Sequence, residues 1–592
     1  MGQMILTLIA ALLAQPAQDT TYFQQGVDYR IEARMDDASG VLTGRARLRY
    51  TNNSRSTLDR VFVHQHLNAF RPNSAWARRE LELGNRRFQD LGPDDHAFER
   101  FSSVTVDGQP VTPRYPGAPD STVALIPLAT PLAPGASVTV VMDWTARPST
   151  LPRRQGRKER HLDWAQWYPR IAVYDRTGWA QHPLLPQGEL YGEFGAYDVT
   201  LDVAADQVIG ATGVAVEGDP GYTVSPHELG FYPARAVEPL GLLTGDAGAG
   251  RKRVRFRAEK VHHFGWSADP TYRHQGVTRE SVNDAGEAAT LPTIHVLYLP
   301  ADTGWSGAAP RSTYAALQWN QELFGPYPWP QLTNLHRLES GGTEFPMVIM
   351  NGSPSEGLIV HETTHQWLHG IFGNNEWKQG WMDEGFTSFV TAWYNEAKGD
   401  TAAWTANMRT LERLERADSA QPVDLPGEAY VNPRIYTAMT YTKGSAVFRM
   451  LRDYLGEQTF RRALRDFYAC CAFRHVTGDD FRRAAERASG QDLGWFWAQW
   501  LERTDWLDYG VADVRSTPLG GDRWRTRVTV LRAGPAWMPV TVQVGDETRR
   551  LSGRARRQTV EVVTRGKPDR VVVDPKWVLI DPDRSNNTAP VQ

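Results

Sequence analysis

LIVHETTHQW, residues 358–367, with eighteen residues between His365 and Glu384, is the stretch that decides how this chain is read. His361 and His365 are one helical turn apart, so both imidazoles leave the same face and can grip one metal ion. Glu362 lies between them, where a carboxylate can take a proton from a metal-activated water. Glu384 is a candidate third ligand. A tetrahedral zinc held by His, His and Glu keeps a fourth position open, which separates catalytic from structural zinc sites. Leu358, Ile359 and Val360 precede the motif, and Trp367, Leu368 and Ile371 follow it. The helix is therefore predicted to be mostly buried, where His and Glu need partners.

His369 competes with Glu384 for the third ligand. Positions 361, 365 and 369 form one row, but on a straight helix its ends lie about 12 Å apart at 1.5 Å per residue. Zinc–nitrogen bonds are about 2 Å, so one ion cannot reach both ends. His369 is expected to support the site from outside the ligand set or to lie at the surface. Glu384 fits better. Gly373, Asn374 and Asn375 are a stop signal for the first helix. A second helix is expected from about Met382–Gly385 through FTSFVTAWYNEA, packed on the first, which returns Glu384 to the histidines. Taken alone, Glu384 would be a first-turn acid complementing a helix dipole.

The chain has 592 residues, too many for one core, so about two to four domains are expected. A net charge of −3 argues against a general nucleic-acid binder. Cys470 and Cys471 are adjacent, cannot close a useful loop, and are expected to be small buried side chains. Residues 1–17 are expected to be a signal peptide. Their apolar run from Met4 to Ala14 is too short to span a bilayer, although no Lys or Arg precedes it. Export to the periplasm or medium is the expectation, with no stable membrane span.

Residues 18–270 alternate apolar and polar side chains in segments such as GRARLRYTN and AYDVTLDVAA, which predicts an antiparallel β domain. A basic stretch, RPSTLPRRQGRKER, interrupts it and is read as a solvated loop. Residues 271–506 begin with strand-like segments and continue with helices, the pattern of an α+β catalytic domain. Residues 507–592 return to short strands, which predicts a small β-sandwich. The fold class is therefore multidomain α+β.

Four motifs in order resemble the aminopeptidase N family of zinc metallopeptidases, the gluzincins that include leukotriene hydrolase. They are Gly341-Gly342-Thr343-Glu344-Phe345-Pro346, HETTHQW, Trp381-Met382-Asp383-Glu384-Gly385-Phe386, and Tyr441-Thr442-Lys443-Gly444. The resemblance implies a thermolysin-like catalytic domain and one zinc ion on His361, His365 and Glu384. It implies that Glu344 binds the free α-amine of a peptide, that Gly341 and Gly342 let the substrate backbone approach, and that Tyr441 stabilises the oxyanion. Departures are Thr343 for the usual Met, Phe345 for Asn, and Asp383 where Asn is common. Thr343 would border the pocket for the first substrate side chain. The long helical C-terminal domain of many relatives is expected to be missing. The family's N-terminal-domain glutamine has no evident counterpart; residues 163–169, DWAQWYP, are the expected region for such contacts.

The implied activity is zinc-dependent removal of N-terminal residues from peptides, with Glu362 as general base. A thermolysin-like zinc endopeptidase is the alternative, in which Glu344 is incidental. A non-catalytic scaffold that kept the fold would have lost a ligand or the base. The residues leave open the preferred first residue, the oligomeric state, and zinc against other divalent metals.

Overall fold

The computed structural model describes residues 22–233, 235–278, 280–282 and 288–591. The expected signal peptide lies outside them. No described helix is long and apolar enough to cross a membrane.

The first described strands form an eight-stranded sheet. Gly26–Asp36 pairs antiparallel with Val41–Thr51 and parallel with Gly195–Ala204. Alternation along Val41–Thr51 turns Leu42, Ala46, Leu48 and Tyr50 inward, as a half-buried strand requires. Gly44 has no side chain because the indole of Trp144 lies over it: a Cβ there would come within 2.4 Å of the ring. A smaller four-stranded sheet, which includes His161–Trp164 and Trp266–Asp269, lies nearer the next part of the chain. Its Asp163 accepts the Leu338 N–H at 2.8 Å.

A five-stranded sheet follows, in the order Arg273–Val277, Thr293–Tyr298, Gln331–His336, Val348–Asn351, Gly342–Phe345. The three central strands are parallel and both edges antiparallel. The edge strand Gly342–Phe345 lies against the helix Glu356–Leu368, which is flanked by Ala308–Leu323 and Phe386–Ala397. Ser355 caps the metal-motif helix by accepting the Leu358 N–H, with Glu356 in the first turn. The remainder to Glu502 is largely helical.

That helix ends earlier than Gly373-Asn374-Asn375 implied. It stops at Leu368, and the N–H groups of both His369 and Gly370 turn back to the His365 carbonyl. Phe372–Asn374 is instead a short strand, parallel to Arg474–Val476. Tertiary pairing overrode the local stop signal. A second correction concerns Cys470 and Cys471, which are joined in a disulfide at the end of the helix Glu457–Cys471 instead of standing as separate thiols.

The last strands form a three-stranded sheet built on Arg523–Arg532 and a four-stranded sheet built on Val540–Val544. The molecule as a whole is mixed α+β, with several sheets.

Candidate metal centre and active site

His361 Nε2 lies 3.1 Å from His365 Nε2 and 3.1 Å from Glu384 Oε2, and His365 Nε2 lies 3.3 Å from that same oxygen. Three ligands about 2.0–2.1 Å from one tetrahedral ion stand roughly 3.3 Å apart. The donor set and its spacing therefore fit a zinc ion. Burial alone would raise the Glu384 carboxyl, but His365 and His361 more than offset it and hold it well below the usual carboxylate range.

Glu384 sits in a wide helical turn, Trp381–Gly385, just before Phe386–Ala397. Gly385 explains its placement. A Cβ on Gly385 would lie 2.6 Å from the Thr440 carbonyl oxygen and 3.0 Å from Gly444 Cα. Glycine on both segments lets the one carrying Tyr441 close onto the one carrying Glu384. The Tyr441 hydroxyl then donates to Glu384 Oε1 at 2.6 Å. Lys443, between Tyr441 and Gly444, is buried in an ion pair with Glu415 at 3.0 Å.

Asp383, in sequence only a departure from the resembled motif, lies directly behind His365. Its Oδ1 lies 2.6 Å from His365 Nδ1, and the Thr387 hydroxyl lies 3.3 Å from the same nitrogen. A carboxylate on the far nitrogen fixes ring orientation and leaves Nε2 for the metal. Its adjacency to Glu384 was the one available signal. His369 does not join the ligand cluster. It is buried, not at the surface, and its Nδ1 pairs with Glu376.

Glu362 Oε2 has no hydrogen-bond partner among the described residues. An orphaned buried carboxylate oxygen beside three metal-type ligands is the arrangement a proton acceptor needs. Burial pushes its carboxyl up to about 7, against the pull of His361 and His365. Its side chain passes directly over Gly342, where a Cβ would fall 2.0 Å from Glu362 Cδ. The space at Gly342 thus holds the Glu362 carboxyl. Gly341 is needed for its backbone, with φ of 77°.

Glu344 lies on the edge strand and is buried, with Arg154 Nη1 donating to its Oε1 at 3.1 Å. Burial would raise its carboxyl, but Arg154 holds it below the ordinary value. Thr343 does not line the cavity; it is 1% exposed and its hydroxyl is held by Arg337.

The N-terminal-domain residues at the site were not foreseen. Residues 163–169 are absorbed in packing: Trp164 and Trp167 are fully buried, and Asp163 pairs with His161 and Ser267. The contribution comes from Arg153, Arg154 and Glu189, which with Glu344, Glu362, Glu384 and Tyr441 line a cavity of about 490 Å³. The basic loop is therefore not simply solvated, because Arg154 reaches inward. A larger cleft of about 570 Å³, lined by Tyr22, Trp377, Asp424 and His475, contains none of the metal-type ligands.

Residues 349–500 match the Peptidase family M1 domain. Alanine/arginine aminopeptidase of Saccharomyces cerevisiae is 28% identical over 153 residues, which are 25% of this chain and 18% of that relative. Aminopeptidase N of Haemophilus influenzae is 29% identical over 163 residues, 27% of this chain and 19% of the relative. The matches thus span about a fifth of these relatives' length. The fold resembles Legionella pneumophila aminopeptidase A, solved in complex with aspartic acid, with a TM-score of 0.62 at 15% identity, covering 95% of this chain and 60% of that one. It also resembles a mutant M1 zinc metallopeptidase from Deinococcus radiodurans, with a TM-score of 0.54 at 16% identity, covering 81% of this chain and 94% of that one.

Proposed function

We propose that this chain, which carries an M1 peptidase domain and resembles the aminopeptidase N family of zinc metallopeptidases, is a zinc aminopeptidase. The observation that carries the reading is the single point at which His361 Nε2, His365 Nε2 and Glu384 Oε2 converge, with the free oxygen of Glu362 close by. One zinc ion would be held by these three side chains, and when bound it supplies Lewis acidity to water and to the scissile carbonyl.

The chain's own residues do the rest. Glu362 accepts the proton of the attacking water at its carboxylate and returns it to the leaving amine. The Tyr441 hydroxyl, now on Glu384 Oε1, turns to donate to the oxyanion as charge develops there. Glu344 receives the α-ammonium, selecting a free N-terminus by charge. Asp383 keeps the His365 ring oriented. The N-terminal β domain, the catalytic domain and the C-terminal β region would work as the expected three-part arrangement, with the first supplying one wall of the cavity through Arg154 and Glu189.

A panel of aminoacyl fluorogenic substrates, run with zinc, with a chelator and with an N-blocked control, tests this reading. Cleavage should require the metal and a free amine. Glu344→Ala should raise KM and lower kcat on free-amine substrates. The ion pair between Arg154 and Glu344 favours one second reading, an endopeptidase in which no ammonium occupies Glu344. Internal cleavage of an N-acetylated peptide at a rate equal to that of its free counterpart would establish that reading instead.

A further inference from the structure

Arg154 is the unexpected group of this site. It belongs to a basic loop, yet its side chain is 12% exposed and lies between two buried carboxylates, donating from Nη1 to Glu344 and from Nη2 to Glu189. Its backbone is in the left-handed region, with φ of 57°. The loop is anchored on both sides. The Arg154 N–H donates to Glu339 Oε2 at 2.6 Å, and Arg153 Nη1 to Glu339 Oε1 at 3.2 Å. The Gln155 side chain closes a reciprocal pair with Ser149 at 2.7 and 3.0 Å. These bonds hold the loop so that the guanidinium enters the cavity.

The other two arginines of the cavity are already committed. Arg337 donates to Thr343, to the Ser340 carbonyl at 2.8 Å and to the Glu339 carbonyl at 3.2 Å. Arg153 is held by Glu339. Arg154 alone of the three touches the carboxylate expected to receive the α-ammonium. A group beside that carboxylate meets the side chain of the first residue.

We infer that Arg154 is a specificity-determining residue that recognises a carboxylate on the first residue of the substrate, so that this enzyme selects peptides beginning with aspartate or glutamate. The inference rests on the aminopeptidase reading. Such a residue carries an ammonium and a carboxylate on one short frame. Glu344 takes the ammonium, and the guanidinium fork takes the carboxylate in place of Glu189. Glu189 is the partner of Arg154 that neither the ammonium nor the metal uses, so it is the one the substrate carboxylate displaces. A lysine or arginine in the first position would instead face Arg154 with like charge.

The test begins with the parent enzyme, which needs no variant to fold. Glutamyl and glutaminyl fluorogenic amides are nearly isosteric and differ in charge. The glutamyl substrate should be favoured by about tenfold or more in kcat/KM, mostly through KM, with lysyl and arginyl substrates poorest. In Arg154→Ala the glutamyl-to-glutaminyl ratio should fall to about one, and Arg154→Lys should keep part of it. Zinc content and circular dichroism identify variants that are folded and loaded. A parent ratio near one, or a ratio unchanged in folded Arg154→Ala, overturns the inference while leaving the aminopeptidase reading in place. Failure of every free-amine substrate, with N-acetylated peptides still cut, overturns the aminopeptidase reading and this inference with it.

Discussion

Gly342 and Glu362 form a unit at the residue scale. Glu362 passes over the glycine, and an added methyl would lie 2.0 Å from its carboxyl carbon. Gly342→Ala should therefore displace Glu362 without touching a ligand. A misplacement of this order costs about a hundredfold in rate, and we expect kcat to fall by that much with zinc content unchanged. Unaltered turnover in the loaded variant would separate the glycine from the base. Glu362→Gln should likewise retain zinc and lose turnover; a variant that keeps full activity would remove Glu362 from the mechanism. In both cases zinc measured by atomic absorption separates loss of metal from loss of the base. On the proposed mechanism, the acid limb of kcat/KM belongs to Glu362. Burial pushes its carboxyl up to about 7, and a cation held beside it would lower it. Activity should therefore rise with pH along a limb whose midpoint is at or below about 7, and that limb should vanish from the residual rate of Glu362→Gln.

At the scale of elements, the candidate metal centre is a crossing of helices. Glu356–Leu368 brings the two histidines, and Trp381–Gly385 brings Asp383 and Glu384. The crossing that adds Tyr441 depends on Gly385 meeting Gly444. Asp383 links the first two elements through His365 Nδ1 at 2.6 Å. Removing such a partner commonly weakens metal binding by 10–100-fold. Asp383→Ala should show that loss in a chelator competition titration, whereas Asp383→Asn, which keeps an oxygen facing the ring, should lose less. Equal zinc affinity for Asp383→Ala and parent would show that packing alone orients His365. Glu384 was legible as a candidate third ligand because a motif and its spacing named it. Asp383 was not, because one position along a helix is a rotation of about 100°. Only the observed wide turn presents both acids to neighbouring histidine rings.

Across the whole molecule, the joint between the N-terminal β region and the catalytic sheet carries a charged cluster. His161 lies 3.0 Å from both Asp163 and Asp269, and Asp163 in turn accepts the Leu338 N–H. Burial opposes the imidazolium, but Asp163 and Asp269 outweigh it and raise the His161 pKa to about 9. A folded pKa above the ordinary 6.5 contributes stability that is fully present below about 6.5 and is lost as pH rises through about 9. The Tm of the parent should therefore fall over that window, and His161→Asn should flatten the fall. Parallel curves for the two proteins would place the pH dependence elsewhere.

The sequence by itself determined the local chemistry. The spacing of His361, Glu362 and His365 dictates one helix face, and short-range periodicity marks the strands before and after the catalytic region. It also carried enough motif to place Glu384, Glu344 and Tyr441 among the candidates. Tertiary structure decided everything that depends on groups distant along the chain. Arg154 precedes Glu344 by 190 residues, and nothing in PRRQG distinguishes the arginine that turns inward from the one beside it. The helix after HETTHQW ended early because Phe372–Asn374 found a parallel partner more than a hundred residues on. Periodicity reports which side of an element is apolar. It does not report which element packs there, because that is set by pairing and burial among segments whose order in space the sequence does not state.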